Sequence, residues 1–142
     1  MVATHIRLGP RIPDPDPVYD DVVDAVRTYL LERAQRALAA GLTPDRIIVD
    51  AGLDLGKTAA QSLVLLRASA QLADLGYPLL LSASNKTFLG VVLGLEIGAR
   101  REASVSATAL GAVLGCRVMR VHEVGSQRQA CDVLAAVAGA RR

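Results

Sequence analysis

An apolar, β-branched run at residues 47–49 ends in the carboxylate of Asp50, and a glycine-containing loop follows it. The run does not alternate with polar residues, which is typical of a strand that is covered on both faces. Thr58 and Gln61 have the spacing of a capping box, so a helix is predicted to start there. Strand, loop and helix in this order form one βα unit, the building block of parallel sheets.

The same order of apolar run, polar end and helix recurs along the chain and predicts four βα units. The predicted strands span residues 2–6, 46–51, 77–82 and 117–121. The predicted helices run from Pro17 (with Asp16 as N-cap) to Gly41, from Thr58 to Gly76, from Ser104 to Gly115, and from Ser126, which opens a second capping box, to about Ala138. The small residues of the third helix favour close packing on the sheet, and residues 88–95 are predicted to form only a short apolar turn.

Four βα units give a parallel sheet with right-handed crossovers, wound either as an open sheet or as a barrel. A complete (β/α)₈ barrel takes about 250 residues. A chain of 142 residues therefore corresponds to one domain and to half of such a barrel. Half a barrel leaves its first and last strands as bare edges. We therefore expect a fragment of a longer protein, or two copies that pair their open edges.

Composition argues against several classes of function. The 16 basic and 14 acidic residues nearly balance, and aromatic residues make up 3% of the chain, so nucleic-acid binding is not expected. No apolar run approaches the ~20 residues of a membrane span, and the start lacks the pattern of a signal peptide. The two cysteines have no metal-binding or redox spacing. These features predict a cytoplasmic protein that has no membrane partner and no metal site of its own.

Polar residues lie where the predicted strands end, and the strand interiors are almost free of charge. Ligands of α/β proteins bind at the carboxyl ends of the strands, so a site is predicted at this edge. Arg120 and His122 are two residues apart, a spacing that puts two donors on one face of a strand and suits an anion. Each residue also has an ordinary interpretation, as a loop cap, a solvated lysine or a buried histidine. The strand-end residues are His5, Asp50, Ser82, Ser84, Lys86, Arg120 and His122.

The loop after the second strand also invites comparison with a phosphate-binding P-loop, because Gly56, Lys57 and Thr58 precede a helix. A P-loop needs four residues between its first glycine and this triplet. Only three residues separate Gly52 from Gly56, and Asp54 would repel a phosphate. The spacing therefore argues against nucleotide binding.

Three segments at the predicted strand ends carry a resemblance: Val49-Asp50-Ala51-Gly52-Leu53-Asp54-Leu55-Gly56-Lys57-Thr58, Ser84-Asn85-Lys86-Thr87-Phe88-Leu89-Gly90 and Arg120-Val121-His122-Glu123-Val124. They resemble successive motifs of the dihydropteroate synthase family, in that family's order and spacing. The resemblance covers essentially the whole chain but only the C-terminal half of that enzyme. It implies that residues 1–142 are the C-terminal half of a pterin-binding TIM barrel, without the N-terminal half.

The resemblance implies an enzyme of folate biosynthesis that condenses a dihydropterin pyrophosphate with p-aminobenzoate and releases pyrophosphate. It implies that Asp50 and Lys86 bind the pterin and that Arg120 and His122 hold the pyrophosphate. Thr87 and Leu55 would lie on the p-aminobenzoate side. The family also implies Mg²⁺, whose usual ligand belongs to the half that is absent here, and a homodimer that packs through its last helices.

The sequence departs from the family pattern at four positions. The family usually has proline at Ala51, glycine at Asp54, an aromatic residue at Leu55 and arginine at Asn85. The missing arginine removes a cation from the aminobenzoate side, and Asp54 adds a negative charge there. These departures favour, as the alternative, a catalytically inactive paralogue that serves as a binding or assembly module. Pterin-binding methyltransferases are a third possibility, although the Ser-x-Lys and Arg-x-His pairs favour the synthase lineage.

Overall fold

A computed structural model of the chain describes residues 1–9, 12 and 14–139. Its strands are β1 (Val2–Thr4), β2 (Ile48–Asp50), β3 (Leu79–Leu81) and β4 (Val118–Met119). Its α-helices are α1 (Val22–Ala39), α2 (Ala59–Arg67), α3 (Ser69–Ala73), α4 (Thr87–Leu93), α5 (Arg101–Val113) and α6 (Val124–Gly139). Single 3₁₀ turns lie at Pro44–Arg46 and Ile97–Ala99.

The four strands pair in parallel in the order β1-β2-β3-β4, which confirms the predicted α/β class. Within β2 and its approach, Ile47 and Val49 are fully buried and Ile48 is half-buried. Val49 belongs to a core cluster with residues of α1, α2 and α4. This burial explains why the apolar run does not alternate with polar residues. The sheet thus brings the carboxyl ends of all four strands to one edge.

Helix α1 begins at Val22, so the prediction of Asp16 and Pro17 as its start was wrong. The Asp21 side chain accepts hydrogen bonds from the amides of Val23 and Asp24 at 2.8 and 3.0 Å, and it is the actual N-cap. Pro17 is buried in the preceding loop, where its carbonyl accepts a hydrogen bond from Gln61 Nε2 at 2.9 Å. A contact with a residue far along the chain therefore fixes Pro17.

The capping box of Thr58 and Gln61 is present, with reciprocal hydrogen bonds of 2.8 and 3.1 Å. The helix that it opens does not run unbroken to Gly76. Ala68 departs from helical geometry and separates α2 from α3. Beside this break, the Ser69 hydroxyl donates to the carbonyl of Leu66 at 2.7 Å.

Two further elements differ from the prediction. Residues 88–95, predicted as a turn, lie largely in helix α4. The second capping box is not used, because α6 already begins at Val124 and the Ser126 hydroxyl donates to the Glu123 carbonyl at 3.4 Å. The close packing predicted for the third helix is observed: a Cβ at Gly111 of α5 would lie 2.3 Å from Leu81 Cδ2 of β3.

Strands β1 and β4 are the outer strands of the sheet. Beside β1 lies an open recess of about 860 Å³, lined mainly by apolar residues that include Met1, Val2 and Tyr29. We interpret this recess as the uncovered edge of the sheet, because it follows β1 and α1 rather than the strand ends. No helix in the part of the chain that the structure describes combines the length and the apolarity needed to cross a bilayer.

Candidate functional site

A cavity of about 390 Å³ opens at the carboxyl ends of the strands. Four of the six predicted site residues line it: Asp50, Leu55, Lys86 and Arg120. They come from three separate βα units, so the sheet brings together side chains that are far apart in sequence. Ser82, one of the predicted strand-end residues, lines the same cavity, and so does Thr4, which the sequence did not single out.

Asp50 contributes a carboxylate that is 8% exposed, at the end of β2. Its Oδ1 accepts the amide of Gly52 at 2.8 Å, and its Oδ2 accepts the hydroxyl of Thr4 at 3.3 Å. Burial raises the pKa of Asp50, although these two hydrogen bonds and the positive charge of Lys86 act in the opposite direction. Each carboxylate oxygen accepts more than one hydrogen bond, so Asp50 can still bind a pair of ligand donors.

Lys86 reaches across the cavity mouth, and its Nζ donates to the carbonyl of Leu53 at 2.9 Å. Arg100 supports the loop that carries Lys86, because its Nη1 donates to the carbonyls of Asn85 and Lys86 at 3.1 and 3.3 Å. The Arg100 guanidinium passes over Gly90, where a Cβ would lie 2.3 Å from Nη2. The glycine therefore leaves space for the arginine that orders the lysine loop.

Arg120 and His122 lie beyond the end of β4, so the strand-face reasoning that paired them was wrong. Two serines of the loop after β3 each hold one of them. Arg120 Nη1 donates to Ser82 Oγ at 3.2 Å, and the Nδ1 of His122 lies 3.1 Å from Ser84 Oγ. Arg120 lines the cavity. His122 is exposed and is not among its lining residues.

Sequence reasoning missed the support behind His122. Gln127 is 2% exposed, and its Nε2 donates to Ser84 Oγ at 3.3 Å. Gln127 also accepts a hydrogen bond from the buried Thr108 hydroxyl of α5. The sequence assigned Gln127 to the second capping box. Its burial inside an otherwise exposed helix is the signal that only the structure supplies.

Asp54 lies in the loop after β2, with a left-handed φ of 64°. Its carboxylate accepts the amide of Thr87 at 2.5 Å and that of Phe88 at 3.3 Å. The loop after β2 therefore caps the helix after β3. Thr87 is exposed and does not line the cavity, whereas Leu55, next to Asp54, does. The predicted aminobenzoate side is thus occupied in part by an internal carboxylate.

Lys57, the residue that invited comparison with a P-loop, is 8% exposed. Its Nζ donates to the carbonyls of Gly52 and Leu55, each at 2.9 Å, and lies 2.9 Å from His5 Nδ1. Burial lowers the pKa of Lys57 to about 8. The ammonium orders its own loop, so Lys57 is not placed to hold a phosphate.

His5 does not line the cavity with the other strand-end residues. It is buried, and its ring packs edge-on against Tyr29 at a centroid distance of 4.8 Å. Burial and the adjacent Lys57 lower the pKa of His5 to about 4. His5 is therefore a buried histidine of the protein interior, one of the alternatives that the sequence left open.

The described residues contain no group of three or more His, Cys, Asp and Glu side chains that could hold a metal ion. Mg²⁺ prefers oxygen ligands in octahedral geometry, and Asp50 alone does not provide them. This part of the chain therefore does not fit a magnesium centre, and we assign no step to a metal. The expectation that the magnesium ligand lies outside this chain stays a prediction.

Comparison with known proteins identifies relatives of this chain. Residues 1–122 match the family model of the pterin-binding enzymes. The Mycobacterium tuberculosis protein named inactive dihydropteroate synthase 2 is 40% identical over 120 residues, which are 84% of this chain and 38% of that protein. The chain thus spans about two fifths of the length of this curated relative.

Solved dihydropteroate synthases share the fold. The enzyme from Stenotrophomonas maltophilia with active site-bound imidazole matches at 34% identity and a TM-score of 0.95, over 99% of this chain and 54% of that one. The enzyme from Xanthomonas albilineans in complex with 7,8-dihydropteroate matches at 35% identity and a TM-score of 0.89, over 99% and 51%. The four βα units therefore correspond to half of a TIM barrel, as predicted.

Proposed function

The chain belongs to the pterin-binding enzyme family, and from that premise we propose that it is the C-terminal half of a dihydropteroate synthase-like barrel. In this proposal the protein binds a dihydropterin pyrophosphate for folate biosynthesis. The observation that carries the proposal is the buried carboxylate of Asp50, which lines one cavity together with Lys86 and Arg120. The named complex of the Xanthomonas albilineans enzyme with 7,8-dihydropteroate supports a ligand of this class.

Asp50 binds the amidine-like edge of the pterin in this proposal. A carboxylate accepts two parallel N–H donors with good geometry, and such charge-assisted bonds are strong. The Gly52 amide and the Thr4 hydroxyl hold the carboxylate in place before the ligand arrives. Lys86 lies against the pterin at the cavity mouth, where the Leu53 carbonyl already fixes its ammonium.

Arg120 and His122 hold the pyrophosphate group. The guanidinium supplies several N–H donors in a fixed fork, which suits phosphate oxygens. Ser82 and Ser84 restrain the two side chains, so less freedom is lost when the anion binds. In a synthase reaction, the amine nitrogen of p-aminobenzoate forms the new C–N bond as the C–O bond to pyrophosphate breaks. The amine proton is released, and Arg120 and His122 stabilise the departing anion.

A second candidate function is a pterin-binding protein without synthase activity. The observation that favours it is Asp54, whose carboxylate pairs with the amides of Thr87 and Phe88 on the proposed aminobenzoate side. The M. tuberculosis relative at 40% identity carries the name inactive dihydropteroate synthase 2. Under this candidate the pterin site is retained and p-aminobenzoate is not accepted.

Further expectations accompany the proposal. We place the protein in the cytoplasm, as a homodimer that packs through its last helices. Exposed apolar side chains on α5 and α6 support this surface, because Val113, Val133 and Val137 are 67, 63 and 70% exposed. Isolated exposed apolar residues are common, but a shared apolar surface on neighbouring helices is typical of an interface.

Calorimetric titration separates the candidates. The purified protein that carries this chain is titrated first with dihydropterin pyrophosphate and then with p-aminobenzoate, and pyrophosphate release is measured. Binding of the first with release of pyrophosphate supports a synthase. Binding of the first without release supports the inactive paralogue. No binding of dihydropterin pyrophosphate contradicts the pterin site itself.

A further inference from the structure

Resting on the pterin site proposed above, we infer that Asp54 determines the chemical class of the second ligand. The side of the site between Leu55 and Thr87 selects a neutral or cationic partner and rejects an aromatic carboxylate. Asp54 is suited to this role because Leu53 and Leu55, its neighbours on both sides, line the cavity. Asp54 itself does not line the cavity, so its charge lies beside the wall that Leu53 and Leu55 form.

The main-chain donors on this side are already paired. The Thr87 and Phe88 amides donate to the Asp54 carboxylate at 2.5 and 3.3 Å. The Asn85 amide donates to Ser104 Oγ at 3.0 Å. The Lys86 amide donates to the Ala83 carbonyl at 3.2 Å. A ligand carboxylate would have to displace one of these acceptors before it gained a backbone hydrogen bond.

The side-chain cations near this side are already hydrogen-bonded as well, and they include Lys57, whose Nζ donates to the carbonyls of Gly52 and Leu55. The Arg100 guanidinium donates to the carbonyls of Leu95, Asn85 and Lys86. Lys86 donates to the Leu53 carbonyl and belongs to the pterin side in the proposed function. Asn85, which follows Ser84 in the same loop, is neutral. The Asp54 carboxylate therefore adds a negative charge beside Leu55 and Thr87, where the donors of the neighbouring cations are already paired.

The backbone conformation and the hydrogen bonds of Asp54 fix the position of its carboxylate. A residue with a side chain rarely adopts a φ of 64°, although aspartate and asparagine tolerate it better than most. The Asp54 amide donates to Ser62 Oγ at 3.1 Å in this conformation. The Ser62 hydroxyl also donates to Asp54 Oδ1 at 3.4 Å. The carboxylate is thus held in place from two sides, by α2 and by α4.

An incoming carboxylate meets a like charge and finds the backbone donors paired, whereas a neutral amide of the same shape meets no like charge and has N–H donors of its own. The two probes are 4-aminobenzoate and 4-aminobenzamide, titrated into the complex of the protein with dihydropterin pyrophosphate. The unmodified protein should bind the amide at least about tenfold more tightly than the acid.

Two substitutions test the role of the charge. Asp54→Gly accepts the left-handed backbone, removes the carboxylate and frees the amides of α4. Asp54→Asn keeps an acceptor for those amides and removes only the charge. Both should tighten 4-aminobenzoate binding by about tenfold and leave 4-aminobenzamide within about twofold. Glu32→Gln on α1, an exposed site distant from the cavity, is the control for net charge and should change neither affinity.

The outcomes are distinct. Equal affinity of the unmodified protein for acid and amide overturns the inference, and so does an unchanged acid-to-amide ratio in both Asp54 variants. Failure of both probes to bind any variant also overturns it, because a neutral second ligand is then not accepted. Absence of pterin binding in the unmodified protein contradicts the proposed function, and the inference falls with it. Since the pterin titration comes first, the two failures are told apart.

Discussion

Nζ of Lys57 lies 2.9 Å from Nδ1 of His5, and both side chains are buried. An ammonium at this distance requires a neutral imidazole whose Nδ1 accepts its hydrogen bond. Lys57 also holds the carbonyl of Gly52, whose amide donates to Asp50. A buried pair that lies outside the cavity therefore supports the loop that positions the carboxylate of the site.

Acidification should destabilise the protein through His5. The pKa of His5 is lowered from 6.5 to about 4, so the unfolded state takes up the proton first as the pH falls. The contribution of His5 is complete above pH 6.5 and is lost as the pH falls toward 4. It amounts to about 3 kcal/mol in the free energy of unfolding. Denaturant unfolding from pH 4 to 8 measures it.

His5→Asn keeps an acceptor for Lys57 and does not titrate in this range. The raised pKa of Asp50 favours the folded state in acid and so opposes the effect of His5. Asp50 is present in both proteins, so its effect cancels when the free energy of unfolding of the variant is subtracted from that of the unmodified protein at each pH. His122→Gln is the control, because His122 is the other histidine and is exposed. If the free energy of unfolding of both proteins changed equally with pH, His5 would not be the group through which acid destabilises the fold.

Gly52→Ala should strongly destabilise the fold. Gly52 has a φ of 64°, and a Cβ there would lie 2.0 Å from the backbone oxygen of His5. Backbone strain and overpacking together should lower the free energy of unfolding by about 2–5 kcal/mol. Gly125→Ala is the matched control, because a Cβ at Gly125 meets no atom within 4 Å. Urea denaturation that gave the two variants equal stability would disprove the close approach.

Arg120→Ala should weaken binding of a ligand that carries pyrophosphate by about 1–3 kcal/mol, because charge-assisted hydrogen bonds are lost. Affinity for the same pterin without its pyrophosphate should stay within about 0.5 kcal/mol. Titration of both ligands gives the comparison. Arg117→Ala removes an exposed charge at the opposite end of β4 and should affect neither ligand. An equal loss of affinity for both ligands would show that Arg120 does not bind the pyrophosphate.

Val133→Glu combined with Val137→Glu should shift a dimer to monomers, because the two exposed valines are one helical turn apart on α6. Light scattering measures the mass in solution. Leu31→Glu on α1 is the control, since Leu31 is 37% exposed and lies outside the last helices. A dimer that persists in the double variant would exclude this surface as the interface.

The sequence predicted the sheet well, because its strands are short apolar runs that end in polar residues. It predicted Asp50, Ser82, Lys86 and Arg120 as site residues because parallel strands end at one edge, whereas Leu55 was predicted from the family resemblance. Helix α4 was missed because its cap, Asp54, lies 33 residues before Thr87. The start of α1 was misplaced because Pro17 is fixed by Gln61. Both errors arise from contacts between residues far apart in sequence, which local patterns do not show.

In the site, too, contacts between residues far apart in sequence could not be predicted from local patterns. Local spacing placed Arg120 and His122 on a strand face, yet β4 ends at Met119 and two serines of another loop hold the pair. Lys57 has the sequence position of a phosphate-binding lysine, but its burial depends on His5, which is 52 residues away. The identity of the strand-end residues could be predicted, whereas their supporting contacts could not.

The affinity of Asp50→Asn for dihydropterin pyrophosphate tests the pterin site most directly. Asparagine keeps an acceptor for the Gly52 amide, so the loop is preserved. The charge is lost, together with the second acceptor, which the Thr4 hydroxyl and the ligand share. Calorimetry should show binding weakened by about 1–3 kcal/mol, with unfolding by urea little changed. Unchanged affinity would contradict the account and leave Asp50 as no more than the cap of its own loop.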